Sequence, residues 1–196
     1  MSAQPIEPTP FEDRWATLAH LDNDPALEGW RAELIDGEIS LTPPPLPDHE
    51  RIITDAVEQI VIEKHTRHLD LTFWAGGSGL RLGLGLGVKP DIIITGQDAF
   101  AEPVEYSNPA GEPIHLVVEV TSSSTRAKDY GEKMRAYATA QIPNYLIIDR
   151  QEGICRLYCL DEAEAAYGPP AAIAPFGKPL ELPTPLNFSL DTTRFA

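Results

Sequence analysis

The sequence predicts an α/β domain with one mixed central β-sheet and helices packed against it. Three observations carry this. The runs "DIIIT" (91–95), "LVVEV" (116–120) and "YLIID" (145–149) are apolar at nearly every position. Such runs are strands buried on both faces, where the usual alternation is lost. Between Arg51 and Arg67, residues Ile52, Ile53, Ala56, Val57, Ile60 and Val61 recur at helical spacing. The order of elements, read as hairpin, helix, three strands, helix, two strands, is that of a sheet covered by helices.

Taken in order, residues 1–12 are Pro-rich and polar, a flexible start before a single domain spanning 13–196. "FEDRWATLAHL" predicts a short helix. "RAELIDGEISLT" places Asp36-Gly37 between two apolar flanks, and that pair supplies the positive φ a tight hairpin needs. "PPPLPD" interrupts regular structure, and Asp48 is a candidate N-cap for the amphipathic helix that follows. "DLTFWAG" and the end of "GLRLGLGLGVKPDIIITG" give strands, and 97–113 is a loop of turn formers. "IHLVVEV" is a central strand. "SSSTRAKDYGEKMRAYATAQIP" opens with hydroxyls and continues as a helix to near Pro143. "NYLIIDR" and "GICRLYCL" are two strands joined by a turn at Gln151–Gly153, and the chain after Leu160 has room for a short strand or hairpin.

Composition narrows the function. The chain has 196 residues, 42% of them hydrophobic, enough for a core without staples. Cys155 and Cys159 lie on one strand, four residues and roughly 13 Å apart, beyond disulfide reach. No apolar run approaches the ~20 residues of a membrane helix, and the N-terminus lacks a signal peptide's pattern. A cytoplasmic protein without a membrane partner is expected. The net charge of −15 weighs against coating nucleic acid through many phosphate contacts, though not against a local basic patch in a cleft.

Glu119 is the residue that asks for an explanation, because it stands inside an apolar strand. A buried carboxylate must be paired, protonated, metal-bound or facing a wet cleft. Asp91 heads the preceding strong strand, so if the strands are neighbours the two carboxylates converge. With the backbone carbonyl of Val120 and waters they would suit Mg²⁺, which prefers oxygen ligands and keeps several waters. Lys133 follows on the next helix, whose buried stripe is Tyr130, Met134, Tyr137 and Ala138. A wheel sets Lys133 roughly 85° from the centre of that stripe, at its edge. The bland alternative makes Lys133 a surface partner of Asp129 at i, i+4. Three other patterns carry less. "SSST" lacks a positioned His–Asp pair for a hydroxyl nucleophile. His65 and His68 lack a third zinc ligand. "GLGLGVK" lacks the Walker spacing.

"KPDIIIT", "LVVEVTSSST" and "KDYGEKMRAYATAQIPNYLIIDR" together resemble the Uma-type family of restriction-endonuclease-like proteins, within the PD-(D/E)XK nuclease superfamily. "AELIDGEI" and "PPPLPDHERI" are similar to its N-terminal motifs, so the likeness runs from about 31 to 160. It implies a restriction-endonuclease-like fold with an N-terminal β-hairpin extension, and a metal-dependent phosphodiesterase site. By that resemblance Asp91 and Glu119 are metal ligands for Mg²⁺ or Mn²⁺. The superfamily's lysine two places after the Glu is replaced by Thr121, and Lys133 matches the helical substitute, with Lys128 as alternative. Glu33 and His49 match further family positions, a possible extra acid and a phosphate or water contact. The resulting expectation is a metal-dependent endonuclease acting on DNA, working as a homodimer. The rival is a non-catalytic member used for protein interaction or assembly.

Overall fold

The computed structural model describes residues 11–83, 85–97, 99, 106–107 and 113–196. Of the expected flexible start, 1–10 lie outside the described residues, as does most of the expected loop between 97 and 113. Helix α1 (Phe11–Asp22) leads into a hairpin of β1 (Arg31–Ile35) and β2 (Glu38–Thr42). Asp36 and Gly37 both have positive φ, 52° and 80°, as the two-residue turn requires. Helix α2 runs Pro47–Arg67. It begins a turn earlier than the apolar periodicity suggests, because Pro47 takes the first helical position, where no N–H is needed. Leu46 is therefore the N-cap residue and Asp48 is not. His68, in left-handed conformation, ends the helix and returns its N–H to Lys64.

Strands β3 (Leu71–Ala75), β4 (Gly79–Gly83), β5 (Leu86–Val88), β6 (Ile92–Gly96), β7 (Tyr106–Ser107) and β8 (Ile114–Val120) follow. The third helix, α3, has three pieces: Arg126–Lys128, a π-helical turn Asp129–Lys133, and Met134–Thr139. Then come β9 (Asn144–Asp149), β10 (Ile154–Asp161), β11 (Ala166–Tyr167), β12 (Ala172–Pro175), β13 (Leu180–Glu181) and β14 (Ser189–Leu190).

The central sheet has the order β11-β10-β9-β8-β6-β3, with β12 also on β10. It is mixed: β8 and β9 pair in parallel across α3, and the other neighbours are antiparallel. Ile52, Ile53, Ala56 and Ile60 of α2 pack on one face, against Ile92, Ile94, Val118, Val120, Leu146 and Ile148. Ala136 and Tyr137 of α3 pack on the other, against Ile93, Val117, Tyr145 and Ile147. Both faces are thus covered, which is why these strands read as continuous apolar runs. The hairpin joins β5, β4 and β7 in a second, five-stranded sheet of order β2-β1-β5-β4-β7. Its strands are two to five residues long, and beyond the hairpin they are too short to show in the sequence; the sheet sets β1 beside the α3 face of the main one. Cys155 and Cys159 are both free thiols.

Candidate active site

Strand register decides how the carboxylates meet. Ile92 pairs with Val118 across the antiparallel β6–β8 ladder, and the N–H of Asp91 donates to the carbonyl of Val118 at 3.1 Å. The residue before Ile92 therefore lies opposite the residue after Val118, and Asp91 faces Glu119. Alternation puts Val118 and Val120 into the core under α2, so Glu119 points with Val117 toward α3.

The two carboxylates line a cavity of about 330 Å³ together with Arg31, Glu33, Val120, Lys128, Asp129 and Lys133. Pro43, Pro44, Pro45 and Leu46 form an apolar side of it, with His49 at the helix start. Every residue singled out in the sequence thus reaches one place: Glu33 from β1, His49 from α2, Asp91 from the head of β6, Glu119 and Val120 from β8, Lys133 from α3.

Lys133 is 5% exposed. Its ammonium sits 2.8 Å from Glu119 Oε1, 2.9 Å from Glu33 Oε1 and 3.9 Å from Asp129 Oδ1. The surface-pair reading is therefore wrong, since Asp129 and Lys133 are both buried. The edge position is corrected as well: the π-helical turn fits an extra residue before Lys133 and rotates it inward. Tyr137, one turn on, donates its hydroxyl to Glu119 Oε1 as well. Lys128 is inside the helix rather than before it, and its Nζ holds Glu33 Oε2 and Ser40 Oγ, each at 2.6 Å. Thr121, in the usual lysine's place, is fully buried and turned away from the carboxylates. Its hydroxyl donates to Gln151 Oε1 at 2.7 Å and accepts from the N–H of Arg150 at 3.1 Å, tying β8 to the β9–β10 turn.

Asp91 is gripped from three sides. Arg31 pairs with Oδ1, while Oδ2 accepts the Val120 N–H at 2.8 Å and meets His49 Nε2 at 3.1 Å. His49 thus stands inside α2 rather than before it, and its contact is with a carboxylate. The residues missed in the sequence are Arg31, Asp129 and Tyr137. Arg31 precedes Glu33 by two on β1, the same-face spacing of a strand. Asp129 and Tyr137 flank Lys133 at four residues each way.

The electrostatics divide the acids into two kinds. Burial pushes Glu33 up, but Lys133 and Lys128 outweigh it and hold the group at about 2. Burial is likewise overcome at Asp91 by the His49 hydrogen bond and Arg31, leaving it at about 2. Glu119 goes the other way: burial, with Asp91, Asp129 and Glu33 adding, pushes it up to about 8 against Lys133. Burial also lifts Asp129 to about 6, against Lys133 and the Thr125 hydroxyl, which closes no hydrogen bond with it. Four carboxylates, Glu33, Asp91, Glu119 and Asp129, thus line the cavity with four cations, Arg31, Lys128, Lys133 and Arg150. Asp129 is 1% exposed, with neither oxygen hydrogen-bonded.

Hard oxygen donors of this kind fit a divalent cation in chemistry. Among the described residues no group of three or more His, Cys, Asp and Glu is arranged to hold one. The candidate ligand set is therefore two carboxylates and a backbone carbonyl, which suits an ion that keeps several of its waters.

A family described as "Putative restriction endonuclease", Uma2, matches residues 15–193. Among solved structures, the fold is similar to the crystal structure of a protein described as "a putative nuclease belonging to DUF820" from Anabaena variabilis. The TM-score is 0.69 at 14% identity, covering 96% of this chain and 97% of that one. No curated protein matches.

Proposed function

The chain belongs to the Uma2 family, and on that premise we propose that it is a divalent-metal-dependent endonuclease hydrolysing phosphodiester bonds in DNA. The observation that carries the reading is the convergence of Glu33, His49, Asp91, Glu119 and Lys133, drawn from five elements, on one cavity. The unit that acts is residues 13–196, in a cytoplasmic setting.

Asp91, Glu119 and the Val120 carbonyl would hold Mg²⁺ or Mn²⁺, which supplies a Lewis acid and an activated water. The remaining work falls to the chain. Arg31 and His49 fix the orientation of Asp91, and Tyr137 fixes that of Glu119. Lys133, held protonated by Glu119, Glu33 and Asp129 despite its burial, carries a positive charge to the phosphoryl oxygens as negative charge grows on them. Glu33 keeps Lys133 and Lys128 in place. A homodimer would set two such sites against the two strands of a duplex, and sedimentation velocity measures it directly.

A non-catalytic role in assembly is the rival. It draws on Arg31 and Lys133 already pairing both carboxylates, and on the net charge of −15. The test is cleavage of labelled single-stranded and duplex DNA with Mg²⁺ or Mn²⁺, by the parent and by Asp91→Asn. The parent is expected to cut, and Asp91→Asn to lose at least ~10³-fold in rate. A parent that cuts nothing with either metal, or an Asp91→Asn that keeps pace with it, rejects the endonuclease reading.

A further inference from the structure

A second cavity, also of about 330 Å³, adjoins the first. Arg31 and Pro45 line both, so the guanidinium that holds Asp91 stands in the wall between them. Asp22, Trp30, Glu50, Lys89, Gly76 and Gly77 are among its other lining residues.

Three features of it point to a planar ligand. Trp30 is 39% exposed and lines the cavity, placing an indole beside an acidic site. Asp22 closes α1 with a side chain only 1% exposed; its Oδ1 takes the Lys89 ammonium at 3.0 Å, while Oδ2 is buried with no hydrogen bond. A buried acceptor left without a donor is costly, and a ligand N–H would satisfy it. Gly76 and Gly77, at φ of +83° and +110°, have no atom within 4 Å of where a Cβ would stand, so that end is open.

The charge of the whole chain gives the reason such a subsite is needed. At a net −15 the protein repels a polyanion at long range and cannot draw its affinity from many phosphate contacts. Stacking of a base on an aromatic ring carries no such handicap.

We propose that the second cavity is a nucleobase subsite. One unpaired base, next to the phosphate at the carboxylate cluster, stacks on Trp30 and donates an exocyclic amine hydrogen to Asp22 Oδ2. Arg31, in the shared wall, spans the step between base and phosphate. The inference rests on the nuclease reading and narrows its substrate to an unpaired strand, because a base inside a duplex already has its faces stacked.

The experiment is cleavage kinetics with Mg²⁺ on a single-stranded oligonucleotide, the matching duplex, and the same strand made abasic beside the mapped cut. Parent, Trp30→Ala and Trp30→Phe are compared. The single strand is expected to be cut in preference to the duplex. Trp30→Ala should raise KM on the intact strand about tenfold with kcat kept, and Trp30→Phe should restore most of it. The abasic strand should cost the parent a similar factor and be indifferent to Trp30→Ala. Thymine, which offers a ring N3–H but no exocyclic amine, should be the poorest base at that position. An unchanged KM in Trp30→Ala, or intact and abasic strands cut alike by the parent, overturns the subsite while leaving the nuclease reading in place. Thymine cut as well as the other bases overturns the Asp22 contact. A parent that cuts no nucleic acid takes both readings down.

Discussion

Raising the pH from about 5 to about 8 without divalent metal should destabilise this protein, and Glu119 is the main cause. Its folded value of about 8 lies above the ~4.3 of an exposed glutamate, so between those values the folded chain holds a proton that the unfolded chain has released. Stability is then full below the unfolded value and falls as pH rises toward 8, the reverse of an ordinary salt-bridged carboxylate. Linkage between those two values gives a loss of roughly 3 kcal/mol over that interval. Asp129, lifted to about 6, adds a smaller loss that is complete near pH 6. Glu33 and Asp91, held at about 2, act in the opposite sense and only in acid, where their contribution vanishes as pH falls from about 4 toward 2. The assay is urea unfolding at constant ionic strength in EDTA, for the parent and Glu119→Gln. The variant should keep only the part of the slope below about pH 6. Mg²⁺, on the proposed binding to the ionised carboxylates, should raise parent stability more at about pH 8 than at about pH 5. A parent whose stability is flat or rising over the interval, or a Glu119→Gln that shares the parent's full slope, refutes the reasoning.

Three further substitutions probe the surroundings. Thr121→Lys, which restores the residue type usual at that position, should cost about 3 kcal/mol in chemical denaturation without raising cleavage, because the ammonium would be buried against the β9–β10 turn and Lys133 already serves Glu119. Asp149→Asn should cost about 2 kcal/mol at neutral pH, since Asp149 binds Arg126 at 2.9 Å, Arg156 at 3.3 Å and Tyr130 at 2.8 Å. Burial works against Asp149, but the Tyr130 and Arg126 hydrogen bonds hold it below the ordinary range. Its contribution is therefore lost in acid, and the variant's stability should fall less between about pH 5 and about pH 3. Gly87→Ala should lower the melting temperature, at a cost of about 2 kcal/mol, because its Cβ would lie 2.6 Å from Cη2 of the Trp15 ring.

What could be read along the chain was local. The Asp36-Gly37 hairpin, the period of α2 and the apolar runs of β6, β8 and β9 each carry their signal within a few neighbouring residues, and each formed as expected. The start of α2 was misplaced because Asp48 is a plausible cap and the earlier Pro47 a better first residue. The extension of the hairpin into a second sheet escaped because β4 and β5 are short and Gly-rich, leaving too few alternating positions to recognise. Asp129 reads as a surface partner of Lys133 and Tyr137 as helix packing, because a regular wheel hides what the π-helical turn does.

The sequence by itself determined that two carboxylates head or interrupt strongly apolar strands, and that lysines follow on the next helix. That much is fixed by composition and period. Tertiary structure alone decided that β6 and β8 are neighbours in a register that faces Asp91 to Glu119. It also brought the hairpin's Arg31 and Glu33 to the same cavity, and turned Lys133 from the helix edge into it. These outcomes depend on pairings between segments up to about a hundred residues apart, such as the 2.6 Å contact of Lys128 with Glu33. They are set by which surfaces exclude water together, and no local pattern records that.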